Sequence, residues 1–210
     1  MTRRRLFRWV LLVTLAEAAG FMVPTAGMAL TAASSRPILA LVTMVLAGSV
    51  EGAVLGSAQA DCLYRWRVLP VRRWWIIATS LGAAFAWSLG MLSSTLGGVS
   101  WTARTAVAVG IGGLMLLTSL PLAQYFVLRD HVERASLWIP INVAVLLASA
   151  LLATELLVQI PFLGFSVLQL IFGTVALGMA VVGLLARSAG WWPSRSPVAG
   201  GLRPARPEEP

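Results

Sequence analysis

The sequence predicts an all-α polytopic membrane protein, a six-transmembrane-helix bundle. Three observations predict it. Only 11% of the residues are charged and 58% are hydrophobic, whereas a soluble globular domain carries roughly 25% charge. Six apolar runs each reach the roughly 18–20 residues that a membrane-crossing helix needs. The arginines gather in alternate turns between those runs. The runs lack two-residue alternation, which excludes a closed outer-membrane barrel.

The first span is Trp9 to Leu30, after a start that holds Arg3, Arg4, Arg5 and Arg8. A basic start before an apolar run also resembles a secretory signal, but this run is too long for a signal core and Glu17 interrupts it. A short turn, Thr31 to Pro37, leads to the second span, Ile38 to Ala60. Asp61 to Arg73 reads as a basic turn, and Trp74 to Leu96 as the third span. A Gly/Ser turn, Gly97 to Ala103, precedes Arg104 and the uncharged fourth span, Thr105 to Leu128. Arg129, Asp130, His131, Glu133 and Arg134 form the next turn. The fifth span is Leu137 to Val158, and Pro161 marks a tight connection to the sixth, Phe162 to Ala186. Residues 1–187 thus form one transmembrane domain. Residues 188–210, rich in Pro, Gly, Ser and Arg, read as a disordered tail that is dispensable for folding.

Orientation follows from the arginines. Of the 16 basic residues, all arginine, fourteen fall in the N-terminus, the second and fourth turns and the tail, and two, Arg36 and Arg104, fall in the odd-numbered turns. Positive charge stays inside, so both termini are expected in the cytoplasm. The net charge of +8 is not a nucleic-acid footprint, because the arginines sit at span ends and not on one soluble face. Trp9, Trp74, Trp75, Trp101, Trp138, Trp191 and Trp192 lie near span ends and read as an interfacial aromatic belt. The single Cys62 excludes an internal disulfide and is expected as a free thiol.

The chain carries an internal repeat. Ala58-Gln59 with Leu63 matches Ala123-Gln124 with Leu128 at an offset of 65, and Gly48 matches Gly113. Trp74-Trp75-Ile76 matches Trp138-Ile139 loosely. Spans 2–3 then repeat as spans 4–5 in the same direction, a parallel duplication. An Ala-Gln pair, an Arg-rich turn and a Trp-led helix, occurring twice, resemble a group of small, uncharacterised six-span bacterial membrane proteins. These occur in GC-rich bacteria and in cyanobacteria. The copies here are Gln59 to Trp75 and Gln124 to Trp138; the first has Tyr64-Arg65 where the group has Arg-Arg. The resemblance covers spans two to five. It implies the topology and a place in the bacterial inner (plasma) membrane, and no activity.

Glu17, Glu51 and Glu155 are the intramembrane carboxylates. An ionised group at mid-bilayer costs at least about 2.5–3.5 kcal/mol, so such groups turn inward and find partners. Glu17 and Glu51 sit at matching depths, roughly 15 Å from the cytoplasmic boundary at 1.5 Å per residue, and are expected to face each other. With Gln59 they form a candidate intramembrane polar site, either a proton or cation relay or a structural staple. Gly48, Gly52 and Gly56 form a small-residue face for close helix packing. Arg65, Arg67, Arg72 and Arg73 are candidate lipid-headgroup contacts, at roughly 1 kcal/mol each, or plain topology determinants. Asn142 and Gln169 read as helix-joining amides, and His131 as a solvated turn residue.

No cofactor or metal site is expected. One histidine cannot make a bis-His haem, and no Cys/His cluster, nucleotide-binding or nucleophile motif occurs. The expected partners are the lipid bilayer and a second copy or another membrane protein. The expected role is a non-enzymatic structural or accessory subunit. The alternative is a small proton- or cation-coupled carrier using Glu17 and Glu51.

Overall fold

The structure, a computed structural model, describes residues 3–95 and 102–159. Among the described residues the chain is all helix: α1 (Arg3–Thr31), α2 (Pro37–Arg65), α3 (Arg72–Thr95), α4 (Ala103–Leu128), a 3-10 turn (Ala135–Leu137) and α5 (Trp138–Gln159), with no strand. Four of them, α1 to α4, are long and apolar enough to cross a membrane. The sixth span, its connection at Pro161, Gln169 and the tail lie outside the described residues, as does most of the Gly/Ser turn.

The helices meet in chain order. α2 packs on α1 and α3, α3 on α4, and α4 on α5. Proline-37 opens α2 at a position where its missing N–H costs nothing. Thr102 caps α4: its hydroxyl accepts from the Thr105 N–H, and the Thr105 hydroxyl accepts from the Thr102 N–H. α2 continues to Arg65, so Asp61 to Arg65 are helix and not turn, as the sequence reading had it. The physical reason is local. Arg65 in the last turn favours the negative end of the helix dipole, and its Nε donates to Asp61 Oδ2 one turn back at 2.7 Å.

The end of α2 closes on a left-handed Arg67, φ 60°. The Val68 N–H reaches the Leu63 carbonyl at 2.9 Å and the Arg67 N–H reaches that of Tyr64 at 2.9 Å. This is the two-bond helix stop that usually uses glycine, and it carries the usual apolar contact, since Val68 and Leu63 share the core. Arg134, φ 44°, takes the same left-handed conformation in the turn after α4.

The core lies at the arginine-rich end. Trp9, Val13, Leu55, Leu63, Leu69, Trp75, Leu128, Trp138 and Val145 are buried there in one cluster. Trp9, Trp75 and Trp138 are therefore core residues and not members of an aromatic belt. The indoles of Trp75 and Trp138 point inward to buried glutamines, and Trp9 packs on Trp66. Trp74 is 54% exposed and keeps the belt position. Trp101, Trp191 and Trp192 lie outside the described residues.

The glycine face of α2 packs on α3. A Cβ on Gly48 would enter the Trp87 indole, one on Gly52 would stand 2.7 Å from the Thr79 carbonyl, and one on Gly56 would stand 2.9 Å from Thr79 Cβ. The neighbour that approaches these glycines is thus the next helix of the same chain. Ser49 and Ser80 join the two helices further, with hydroxyls 2.9 Å apart and the Ser80 hydroxyl donating to the Ser49 carbonyl at 2.6 Å.

Candidate functional site

Two polar centres lie between the helices. The first joins α2, α3, α4 and α5. Gln59 Oε1 accepts from the Trp75 indole at 3.0 Å and from Gln124 Nε2 at 2.9 Å. Gln124 Nε2 also donates to the Thr79 hydroxyl at 3.0 Å. Gln124 Oε1 accepts from the Trp138 indole at 2.9 Å. The Trp75 and Trp138 rings meet edge to face, with centroids 5.7 Å apart. Gln59, Thr79, Gln124 and Trp75 are all 0% exposed.

Each half of this centre has the same parts. A glutamine near the end of one helix accepts from an indole near the start of the next. The residue four beyond each indole bonds back to that tryptophan's carbonyl: Thr79 to Trp75 at 2.8 Å, and Asn142 to Trp138 at 2.7 Å. Among the described residues Asn142 therefore serves its own helix. The backbones of α2 and α4 make no close approach, so the two amides bridge a gap that α3 leaves between them. Gln59 lies six residues before the end of α2, about 9 Å below the basic surface. One donor is left over. Gln59 Nε2 is buried with no partner among the described residues.

The second centre joins α1, α2 and α3 deeper in the bundle. The Trp87 indole donates to Glu51 Oε2 at 2.7 Å and packs against Phe21, centroids 6.3 Å apart. Gly20 lets the α1 backbone close on Glu51, where an added Cβ would stand 3.2 Å from the Glu51 carbonyl. Glu17 lies one turn before Gly20, on the α1 face that also carries buried Val13, Pro24 and Gly27. Gly20 thus brings the turn of α1 that carries Glu17 against the turn of α2 that carries Glu51. Glu51 thus has an indole as its hydrogen-bond partner and Glu17 as a neighbour across α1–α2. Gln59 is two turns away and belongs to the first centre. Glu155 lies in the part of α5 whose side chains fall outside the described residues.

The arginine-rich surface is organised by Asp61. Its Oδ2 takes Arg65 at 2.7 Å and Arg8 at 3.1 Å, and its Oδ1 takes Arg72 at 3.2 Å. The Arg72 guanidinium lies 4.5 Å over the Tyr64 ring, and that of Arg73 lies 5.1 Å over Trp74. Arg65 and Arg72 thus meet on Asp61 together with Arg8, while Arg73 stacks on Trp74. His131 is exposed and borders a shallow cavity of about 360 Å³ with Trp74, Phe126 and Asp130. Among the described residues no three His, Cys, Asp or Glu side chains come together to hold a metal.

Gln124, Thr79, Trp75, Trp138 and Trp87 are the polar-centre residues that sequence reading did not assign to a site. The Ala-Gln match at offset 65 is the signal that points to Gln124, and the looser Trp-Ile match points to Trp75 and Trp138; no sequence signal marks Thr79. No family model, curated protein or solved structure matches the chain.

Proposed function

We propose that the chain is a multi-pass protein of the bacterial inner membrane, with both termini cytoplasmic, acting as a non-enzymatic structural or accessory subunit. The observation that carries this reading is where the buried polar groups turn. Gln59, Trp75, Thr79, Gln124 and Trp138 bond to one another, and Glu51 is bonded by Trp87. Apart from Gln59 Nε2, these groups find their partners within the protein, and groups paired in this way between helices hold them in register. The orientation is supported by the meeting of Arg8, Arg65 and Arg72, from three helices, on Asp61 at one end. Duplication of spans 2–3 as 4–5 is supported by the paired Gln–Trp bonds and the paired left-handed arginines.

The carrier reading keeps one observation in its favour, the close approach of α1 at Gly20, one turn beyond Glu17, to Glu51 of α2. Reconstitution of the full chain in vesicles with an internal pH dye separates the two. We expect no proton flux that depends on Glu51, and copurification of a second copy or a membrane partner in mild detergent without crosslinking. Flux abolished by Glu51→Gln would establish the carrier reading. Reporter fusions at Arg67 and His131 are expected on the cytoplasmic side; an external signal at Arg67 would overturn the orientation.

A further inference from the structure

A cavity of about 250 Å³ opens where α1 begins and α2 ends, lined by Arg4, Arg5, Arg8, Cys62, Arg65 and Trp66. Its rim is unbalanced. Asp61 is the carboxylate there, and both its oxygens are occupied by Arg8, Arg65 and Arg72. Arg4 and Arg5 are exposed and have no hydrogen bond or ion pair among the described residues. The floor is apolar: Cys62 is buried, and Trp66 packs on Trp9 with centroids 5.4 Å apart.

We propose that this cavity binds a phosphate group of net negative charge, either the headgroup of an anionic phospholipid or a soluble phosphate. Four guanidiniums present forked donors that match phosphate oxygens, and two of them have no internal anion to hold. The first N–H groups of α1, which begins at Arg3, lack helical partners and lie at the same end. The helical stripe that carries Arg4 and Arg8 continues as Leu11 and Leu15, 44% and 56% exposed. That continuation gives an acyl chain an apolar track below a bound headgroup. The inference is independent of the accessory role, because it concerns a charge imbalance at the surface and not the polar centres.

The test uses the full chain in non-ionic detergent, followed by native mass spectrometry and thermal melting. It is titrated in separate arms with dioleoyl-phosphatidylglycerol, dioleoyl-phosphatidylcholine and inorganic phosphate. We expect one saturable anionic ligand, and an affinity about 30-fold weaker in the double variant Arg4→Gln/Arg5→Gln, from roughly 1 kcal/mol per arginine. Arg36→Gln, in the turn at the opposite end, is expected to bind as the parent does. Binding of the glycerol lipid that free phosphate does not displace identifies a headgroup; displacement by free phosphate identifies a soluble ligand. Either supports the site. Equal binding of phosphatidylcholine, equal loss in Arg36→Gln, or no loss in the double variant would overturn it. So would the absence of binding in every arm. Because Arg4 and Arg5 hold no other described residue, the double variant is expected to melt with the parent, which separates lost binding from lost folding.

Discussion

Replacing Gly52 with valine is expected to destabilise the bundle by about 3 kcal/mol or more. A Cβ there would stand 2.7 Å from the Thr79 carbonyl, 2.7 Å from Ala83 Cβ and 2.9 Å from Ser80 Cα. Two of those atoms are backbone and cannot swing aside, so α2 and α3 must separate. Overpacking alone costs roughly 1–3 kcal/mol. Separation also stretches the Ser80 bond to Ser49 and the Trp75 bond to Gln59, 2.6 and 3.0 Å long. Gly113 is the internal control. It matches Gly48 in the sequence repeat, yet it faces open space with nothing within 4 Å. Gly113→Ala is expected to be neutral or stabilising by up to about 1 kcal/mol, through helix propensity. Thermal or denaturant unfolding in detergent reads both. A Gly52→Val variant as stable as the parent would show that α2 and α3 do not pack as described.

Replacing Gln124 with leucine is expected to cost about 2 kcal/mol. The two side chains have similar volumes, so no large cavity forms, and the loss is that of three hydrogen bonds, to Gln59, Thr79 and Trp138. Two magnitudes compete. A buried group left unsatisfied in a soluble core costs roughly 1–3 kcal/mol. Side-chain bonds between membrane helices average about 0.6 kcal/mol, because unfolded helices in lipid also find partners. The membrane figure governs, since α2 and α4 are long and apolar enough to remain inserted when their packing is lost. Three such bonds give about 2 kcal/mol. A change below about 0.5 kcal/mol would mean that the centre holds nothing together.

The helical class, four of the spans and the glycine face were legible because each rests on a single helix. Length and apolarity need no neighbour, and four-residue spacing places Gly48, Gly52 and Gly56 on one side whatever packs there. What the sequence could not supply was the identity of partners. Trp75 and Trp138 sit near helix ends, where tryptophan usually faces the lipid boundary, and Trp74 beside them does so. Only the presence of Gln59 and Gln124 across the interface turns the other two inward. Gln59 shares a helix face with Gly52, which linked it to Glu51 in the sequence. Yet eight residues along a helix is about 12 Å, too far for one hydrogen-bonded site. Trp87 was missed as a partner for Glu51 because it lies mid-helix in α3, with no motif around it. The arginine surface shows the same limit. Its charge was plain, but Asp61, a lone acidic residue in that stretch, ties up Arg65 and Arg72 and leaves Arg4 and Arg5 free of ion pairs among the described residues.

The direct contact between the two glutamines is the centre on which the account rests, and a double-mutant cycle on Gln59→Leu and Gln124→Leu measures it most directly. The two variants remove one shared bond, 2.9 Å long, so the loss in the double variant should fall short of the summed single losses. The expected shortfall is about 0.6–1.7 kcal/mol, the range for one side-chain bond between membrane helices. Single effects that add to within about 0.3–0.5 kcal/mol would contradict it, and would mean that the two Gln–Trp pairs stand apart.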